Sequence, residues 1–215
     1  MDCKATVKLG DFSRGGKSRG VEAVKALDHD MATKEKMVPF GILNLDNDEF
    51  DVFYGLSYKT SDFICDALEL WWKGVRDANK DKDELVIYAD NGPESNSHRT
   101  QFLLRMVQFA RQSGLKIRLV YYPPYHSKYN PIERRWSVLE KHWNGALLNT
   151  VSSVLGWTRN LICKFKQTTA HLIEKVYAKG IRLSRAELAE IQPYITRHLE
   201  LKKWDITIHP EPVLL

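Results

Sequence analysis

The order in which hydrophobic periodicity changes along the chain constrains its fold more than any other feature of the sequence. Residues 2–9 alternate, with Cys3, Ala5, Val7 and Leu9 on one face and Asp2, Lys4, Thr6 and Lys8 on the other, the period of a half-buried strand. Two further apolar runs, 38–45 and 50–56, flank Asp46-Asn47-Asp48-Glu49 and predict a hairpin. The period then changes to 3.6: Ile64, Leu68, Trp72 and Val75 recur behind Thr60 or Ser61 as the cap. Residues 85–89 predict a short buried strand closed by Asp90. Asn96 or Ser97 then opens a helix with Phe102, Leu103, Met106, Phe109 and Ala110 facing inward, ended by Gly114. After a strand over 117–122, Asn130 caps a third helix with Pro131 in its first turn and an apolar stripe of Ile132, Trp136, Leu139 and Trp143. Three strands followed by helix, strand, helix, strand and helix is an α/β order. It predicts a mixed sheet with its first three strands antiparallel and later crossovers covering the faces.

Beyond Gly145 the pattern is helical over 151–179, and Ser184-Arg185-Ala186-Glu187 is a capping box that opens another helix, with Pro193 near its end. Residues 204–208 are a short extended run, and no internal repeat is visible. The expected division is a domain over 1–150 and a helical C-terminal extension over 151–215 packed on it.

A chain of 215 residues with 43% apolar content and 11% aromatics carries enough hydrophobic surface for a sizeable core, which excludes a disordered tail or a small stapled module. The net charge of +5 is a weak pointer to polyanions, but its distribution says more. Between Arg99 and Lys141 nine Lys and Arg face two acidic residues, Glu133 and Glu140, so this segment alone carries +7. Cys3, Cys65 and Cys163 are odd in number and widely separated, which argues against a disulfide framework and a zinc ribbon. With no apolar run near the ~20 residues of a membrane span and no signal-peptide pattern, the expectation is a soluble cytoplasmic protein with no membrane partner.

Two carboxylates stand at element ends on either side of the basic helix-strand unit: Asp90, followed by Asn91-Gly92, and Glu133 in Asn130-Pro131-Ile132-Glu133-Arg134-Arg135-Trp136. Carboxylates so placed are how a chain gathers an acidic cluster that holds divalent ions against a nucleic-acid phosphate. Each also has a plainer role. Asp90 before Asn-Gly suits a turn, Glu133 at the third position after Asn130 suits a capping box, and Asp2 lies at a terminus where chains fray. Asp11, Asp46, Asp48 and Asp51 are read as solvated loop and hairpin residues. His126 suits either a phosphate contact or packing against Tyr125 or Tyr129. Arg134 and Arg135 suit phosphate contacts or a solvated helix face, and the latter fits one of them better than both. Arg14, Lys17 and Arg19 ride a Gly-rich stretch, residues 10–20, that lacks Walker A spacing and suits a clamp on a DNA backbone. Trp71, Trp72, Trp136 and Trp143 sit at core spacing.

Asp90-Asn91-Gly92 together with Tyr122-Pro123-Pro124-Tyr125-His126-Ser127-Lys128-Tyr129-Asn130-Pro131-Ile132-Glu133-Arg134-Arg135-Trp136 resembles the catalytic domain of bacterial DDE transposases, most closely the ISAzo13 group, related to the IS630/mariner superfamily. The resemblance extends to Asp2-Cys3-Lys4, to Gly10 and Gly16, to Trp71-Trp72 and to Trp204-Asp205-Ile206-Thr207. It implies an RNase H-like fold, here a five-stranded mixed sheet flanked by helices, that cuts DNA at transposon ends and joins the freed 3′ hydroxyl to a target. It implies Asp2, Asp90 and Glu133, 88 and 43 positions apart, as ligands of two Mg²⁺ ions, which Mn²⁺ can replace. It also implies double-stranded DNA as partner, contacts from Lys128 beside the basic residues named above, a homodimer on DNA and a place at the bacterial nucleoid. Members of the group carry a helix-turn-helix region and a complete first strand before the first carboxylate. With Met1 directly before Asp2, the expectation is an excised fragment, a separately started frame or a remnant lacking its DNA-recognition region.

Overall fold

The computed structural model describes residues 1–17, 24–123, 126 and 129–213. In chain order the strands and helices are β1 (Asp2–Cys3), β2 (Val7–Lys8), β3 (Lys36–Leu43), β4 (Phe50–Gly55), α1 (Ser61–Val75), β5 (Glu84–Asp90), α2 (Thr100–Ser113), β6 (Lys116–Tyr122), α3 (Pro131–His142), α4 (Val151–Arg159), β7 (Ile162–Cys163), β8 (Lys166–Gln167), β9 (Thr169–Ile173), α5 (Arg185–Ile191), β10 (Ile195–Arg197) and β11 (Asp205–Ile208). The α/β class and mixed sheets agree with the expected RNase H-like arrangement. The chain forms two compact units: a first of Met1, Tyr58–Asn130 and Tyr177–Leu215, and a second of Asp2–Ser57 and Pro131–Val176.

The second unit is built on a five-stranded sheet in the order β1-β3-β4-β9, with β2 also on β3. β1 and β2 pair antiparallel with β3, and β3 with β4, as the first three predicted strands require. The expected strand over 2–9 is split in two, although Val7 and Leu9 are buried as its alternation demands. β9 adds to β4 in parallel. The helical reading of 151–179 is therefore corrected: α4 ends at Arg159, and a tight hairpin leads directly into β9. Thr169, Ala170 and Leu172 lie opposite Asp51, Val52 and Tyr54, so pairing with a ready sheet edge overrides local helix propensity. Ile132, Trp136, Leu139 and Trp143 of the α3 stripe are all buried in this unit's core beside Val7, Met37, Val52 and Tyr54.

The first unit carries a four-stranded sheet, β10-β11-β6-β5. β5 and β6 are parallel, whereas β11 is antiparallel to β6 and β10 to β11. The first unit's sheet is thus a further mixed sheet among the described strands, in addition to the five-stranded mixed sheet of the second unit. β6 finds a second partner in the C-terminal extended run, which makes the extension over 151–215 as much strand as helix. Thr60 caps α1 by accepting from the Phe63 amide, and Gly114, at φ 75°, closes α2. Contrary to expectation α2 begins only at Thr100, because Asn91 accepts the Ser97 amide and holds that residue in the preceding loop. Ser184 and Glu187 form the expected capping box of α5. Arg105 of α2 ties the unit together: it reaches Asp62 at 2.8 Å, Asp66 at 2.6 Å and Glu69 at 2.9 Å, all on α1.

Candidate active site

In the second unit, Asp2 and the helix that carries Glu133 are joined through one side chain. Asp2 lies opposite Gly41 in the β1–β3 register. A β-carbon at Gly41 would lie 2.6 Å from the Trp136 ring and 3.0 Å from Ile132, so the absence of a side chain lets α3 settle on β3. The Trp136 indole N–H donates to Asp2 Oδ2 at 2.9 Å, and Phe50 packs edge-on against the same ring at 5.2 Å. A buried indole needs such an acceptor. Here the acceptor is the first expected ligand, whose second carboxylate oxygen remains a hard donor for a cation. Glu133 stands one turn before Trp136, in the first turn of α3, and three-residue spacing puts both on one helix face.

Asp90 belongs to the first unit and closes β5, level with Tyr122 of β6. Asn91 accepts the Ser97 amide at 3.2 Å, and the Ser95 amide donates to the Gly92 carbonyl, so the Asp-Asn-Gly run is an ordered turn out of the strand. Burial, then the Tyr88 phenol and the Asp90 charge, push the Tyr122 phenol above its ordinary pKa. Among the described residues, no three His, Cys, Asp or Glu side chains are gathered into a metal-holding group. Asp2 and Glu133, both in the second unit, carry hard oxygen donors of the kind that Mg²⁺ or Mn²⁺ takes.

The basic residues divide sharply. Arg134 is exposed on α3, while Arg135 is buried, donating to Asp48 at 2.6 Å and to the Cys163 sulfur. Phosphate contact therefore suits Arg134 and not Arg135, and Asp48 is a structural anchor, not merely a solvated turn residue. Arg14 also turns inward: its guanidinium lies 5.7 Å from the Trp143 ring centre and 3.9 Å from Glu140. The glycines beside it serve an internal contact. Gly16, at φ 79°, would bring a β-carbon within 2.6 Å of Asn144, and the Gly145 amide donates to the Gly15 carbonyl at 2.8 Å. Of the expected clamp, Lys17 is exposed, and Arg19 lies outside the described residues, as does Lys128. His126 stacks on Tyr129 with ring centres 5.8 Å apart, the packing alternative. Trp136 and Trp143 are core, but Trp71 and Trp72 are only half-buried.

Ion pairing also tempers the +7 segment. Arg105 faces three carboxylates, Arg118 holds Asp205 at 2.6 Å, Lys116 lies 3.3 Å from Glu84, and Arg135 holds Asp48. Each of those carboxylates lies outside the segment, so a count confined to it overstates the charge it offers to a partner.

The sequence profile of the family described as Rhodopirellula transposase DDE domain matches residues 1–210, nearly the whole chain. The chain belongs to the DDE transposase domains of the ISAzo13 group. No curated protein and no solved structure matches it significantly. The matched span includes Asp2, Asp90 and Glu133. Membership makes this DDE transposase domain a nuclease- or transposase-type enzyme with DNA as its substrate, in a family that uses divalent metal ions. Among its described residues no helix is long and apolar enough to cross a membrane.

Sequence reasoning missed the Trp136–Asp2 hydrogen bond and the closeness that Gly41 permits. Its only sequence trace is a glycine inside an otherwise apolar strand, a common sign of close approach by another element.

Proposed function

We propose that this chain is the catalytic core of a transposase that cleaves DNA at the ends of its own element and joins the freed 3′ hydroxyl to a target. Asp2, Asp90 and Glu133 are the proposed metal ligands. A pair of Mg²⁺ or Mn²⁺ ions, when bound, neutralises charge on the attacking and leaving oxygens of the phosphodiester. Trp136 orients Asp2 by fixing one of its oxygens. Glu133 acts from the same helix, and the ordered Asp-Asn-Gly turn holds the Asp90 backbone at the strand end. Lys17 and Arg134, both exposed, are the proposed phosphate contacts. Holding two transposon ends together calls for at least two copies of the chain on DNA, in the compartment where that DNA lies.

The observation that carries this reading is the Trp136 link between Asp2 and the Glu133 helix, within a span that matches the family throughout. Nicking of supercoiled plasmid by the purified chain tests it without knowledge of the terminal repeats. Nicking with Mg²⁺ or Mn²⁺ that is absent in EDTA and in Asp90→Asn is the expected result. A folded chain that does not nick with either metal, or a variant as active as the parent, rejects it.

A further inference from the structure

The tip of the β7–β8 hairpin has a shape that packing does not explain. Ile162 pairs with Gln167 and Cys163 with Lys166, which leaves a two-residue loop of Lys164 and Phe165. Both are left-handed, at φ 50° and 64°, the type I′ geometry that Asn-Gly ordinarily supplies. A β-carbon disfavours that backbone at each position. No burial offsets the cost, because Phe165 is fully exposed, at 102% of its reference area. Non-glycine residues persist in such conformations only where their surroundings over-determine them, and such places concentrate at ligand clamps.

The surroundings here are specific, and all belong to the second unit. Asp48 accepts from Lys164 at 2.9 Å and from Arg135 at 2.6 Å, and it is itself left-handed at φ 61°. Lys166 lies 3.6 Å from Glu49, and Arg135 also reaches the Cys163 sulfur. Below the tip the Gln167 side chain donates to the Arg159 carbonyl, and the Thr168 amide to the Leu161 carbonyl. The hairpin is therefore fixed to the β3–β4 turn and to α3, through an arginine two residues beyond Glu133.

We infer that Phe165 is a stacking platform for an unpaired base of the bound DNA. This rests on the DNA-cleaving reading above. An exposed aromatic ring on a braced turn, flanked by two lysines that pair with Asp48 and Glu49 while their side chains remain 65% and 48% exposed, combines a π-face for a base with ammonium groups that adjoining phosphates can share. Bases at a cut strand end, unlike those inside a duplex, have a neighbour on one side only and unstack at lower cost. A protein partner fits less well, since an anchoring aromatic in such interfaces sits in a water-excluding apolar surround, and here the immediate chain neighbours are charged.

The test is fluorescence anisotropy of the full chain in EDTA with three duplexes: blunt, carrying a three-nucleotide 3′ overhang, and carrying the same overhang with abasic sugars. The abasic strand keeps the charge and removes the bases. The wild type is expected to bind the base-bearing overhang roughly tenfold tighter than the abasic one. Phe165→Ala should lose that preference, and Phe165→Trp should keep it. Equal affinity of the wild type for both overhangs, or an unchanged ratio in Phe165→Ala, overturns the platform while leaving DNA binding intact. No binding to any of the three overturns the underlying DNA reading and the platform with it. Sedimentation of the same samples adds one more outcome: a dimer that Phe165→Ala dissociates makes the ring a contact between copies and overturns the proposal.

Discussion

Two charge clusters, one in each unit, are near mirror images in composition and opposite in purpose. In the first unit one cation, Arg105, meets three carboxylates, Asp62, Asp66 and Glu69, with every side chain at most 23% exposed. In the second, one carboxylate, Asp48, meets two cations, Arg135 and Lys164, and is itself 40% exposed. The Arg105 cluster joins two helices whose opposite faces are core. Burial works against its charge, yet hydrogen bonds to Asp66, Asp62 and Glu69 outweigh that and raise the guanidinium pKa. Tyr177 adds a hydrogen bond to Asp66 at 2.8 Å. The Asp48 cluster holds a surface hairpin in an unfavourable backbone, and what it presents is an exposed ring. The cluster whose charges are all sheltered serves stability, and the one built on an exposed carboxylate serves shape.

Arg105→Ala should break the first cluster with the largest effect. It strands three carboxylates that share one sheltered patch, at a cost of about 3 kcal/mol. For a chain of this size that is a fall in Tm of roughly 6–12 °C, read by calorimetry. A loss under about 1 kcal/mol would place the cluster among ordinary surface pairs.

Asp48→Asn should cost far less globally than Arg105→Ala, because Asp48 and Lys164 are exposed and the asparagine amide oxygen still accepts from the buried Arg135. Its expected signature is local: faster amide exchange over 162–167 with the rest of the second unit unchanged. Global destabilisation comparable to Arg105→Ala would erase the contrast between the clusters.

A smaller effect follows from acid. The hydrogen bond from Lys164, then the charges of Lys164 and Arg135, hold the Asp48 carboxyl below its ordinary value of 3.8. A depressed folded pKa means that the brace is complete above the ordinary value and is lost as pH falls through the lower, folded one. Amide shifts of Lys164 and Phe165 should therefore stay constant down to about pH 4 and titrate below it. The titration should vanish in Asp48→Asn. A midpoint at or above 3.8 would show that the brace adds nothing to the charged form.

The contrast also marks what the sequence reveals. Elements with their own period or cap were legible: the α3 stripe, the Ser184–Glu187 capping box, the Gly114 terminus and the antiparallel β3–β4 pair. Structure that depends on distant partners was not. The β7–β8 turn has neither Asn nor Gly, so Lys164-Phe165-Lys166 carries no turn signal, and its cause lies 116 residues away at Asp48. Asp62, Asp66 and Glu69 recur at i, i+4 and i+7, which shows that they share a helix face but not that Arg105 is their partner. The same holds for the candidate ligands. Asp90 and Glu133 were visible from their motifs, but the orientation of Asp2 depends on Trp136 lying over Gly41, a contact that no local pattern encodes.

The most direct test of the central claim is the metal-dependent plasmid-nicking rate of Glu133→Gln beside the wild type, with circular dichroism to establish that both are folded. The substitution keeps the side chain's shape and one acceptor oxygen while removing the ligand charge. The account predicts a loss of roughly a hundredfold or more with an unchanged fold. A folded Glu133→Gln chain that nicks at the parental rate would contradict it.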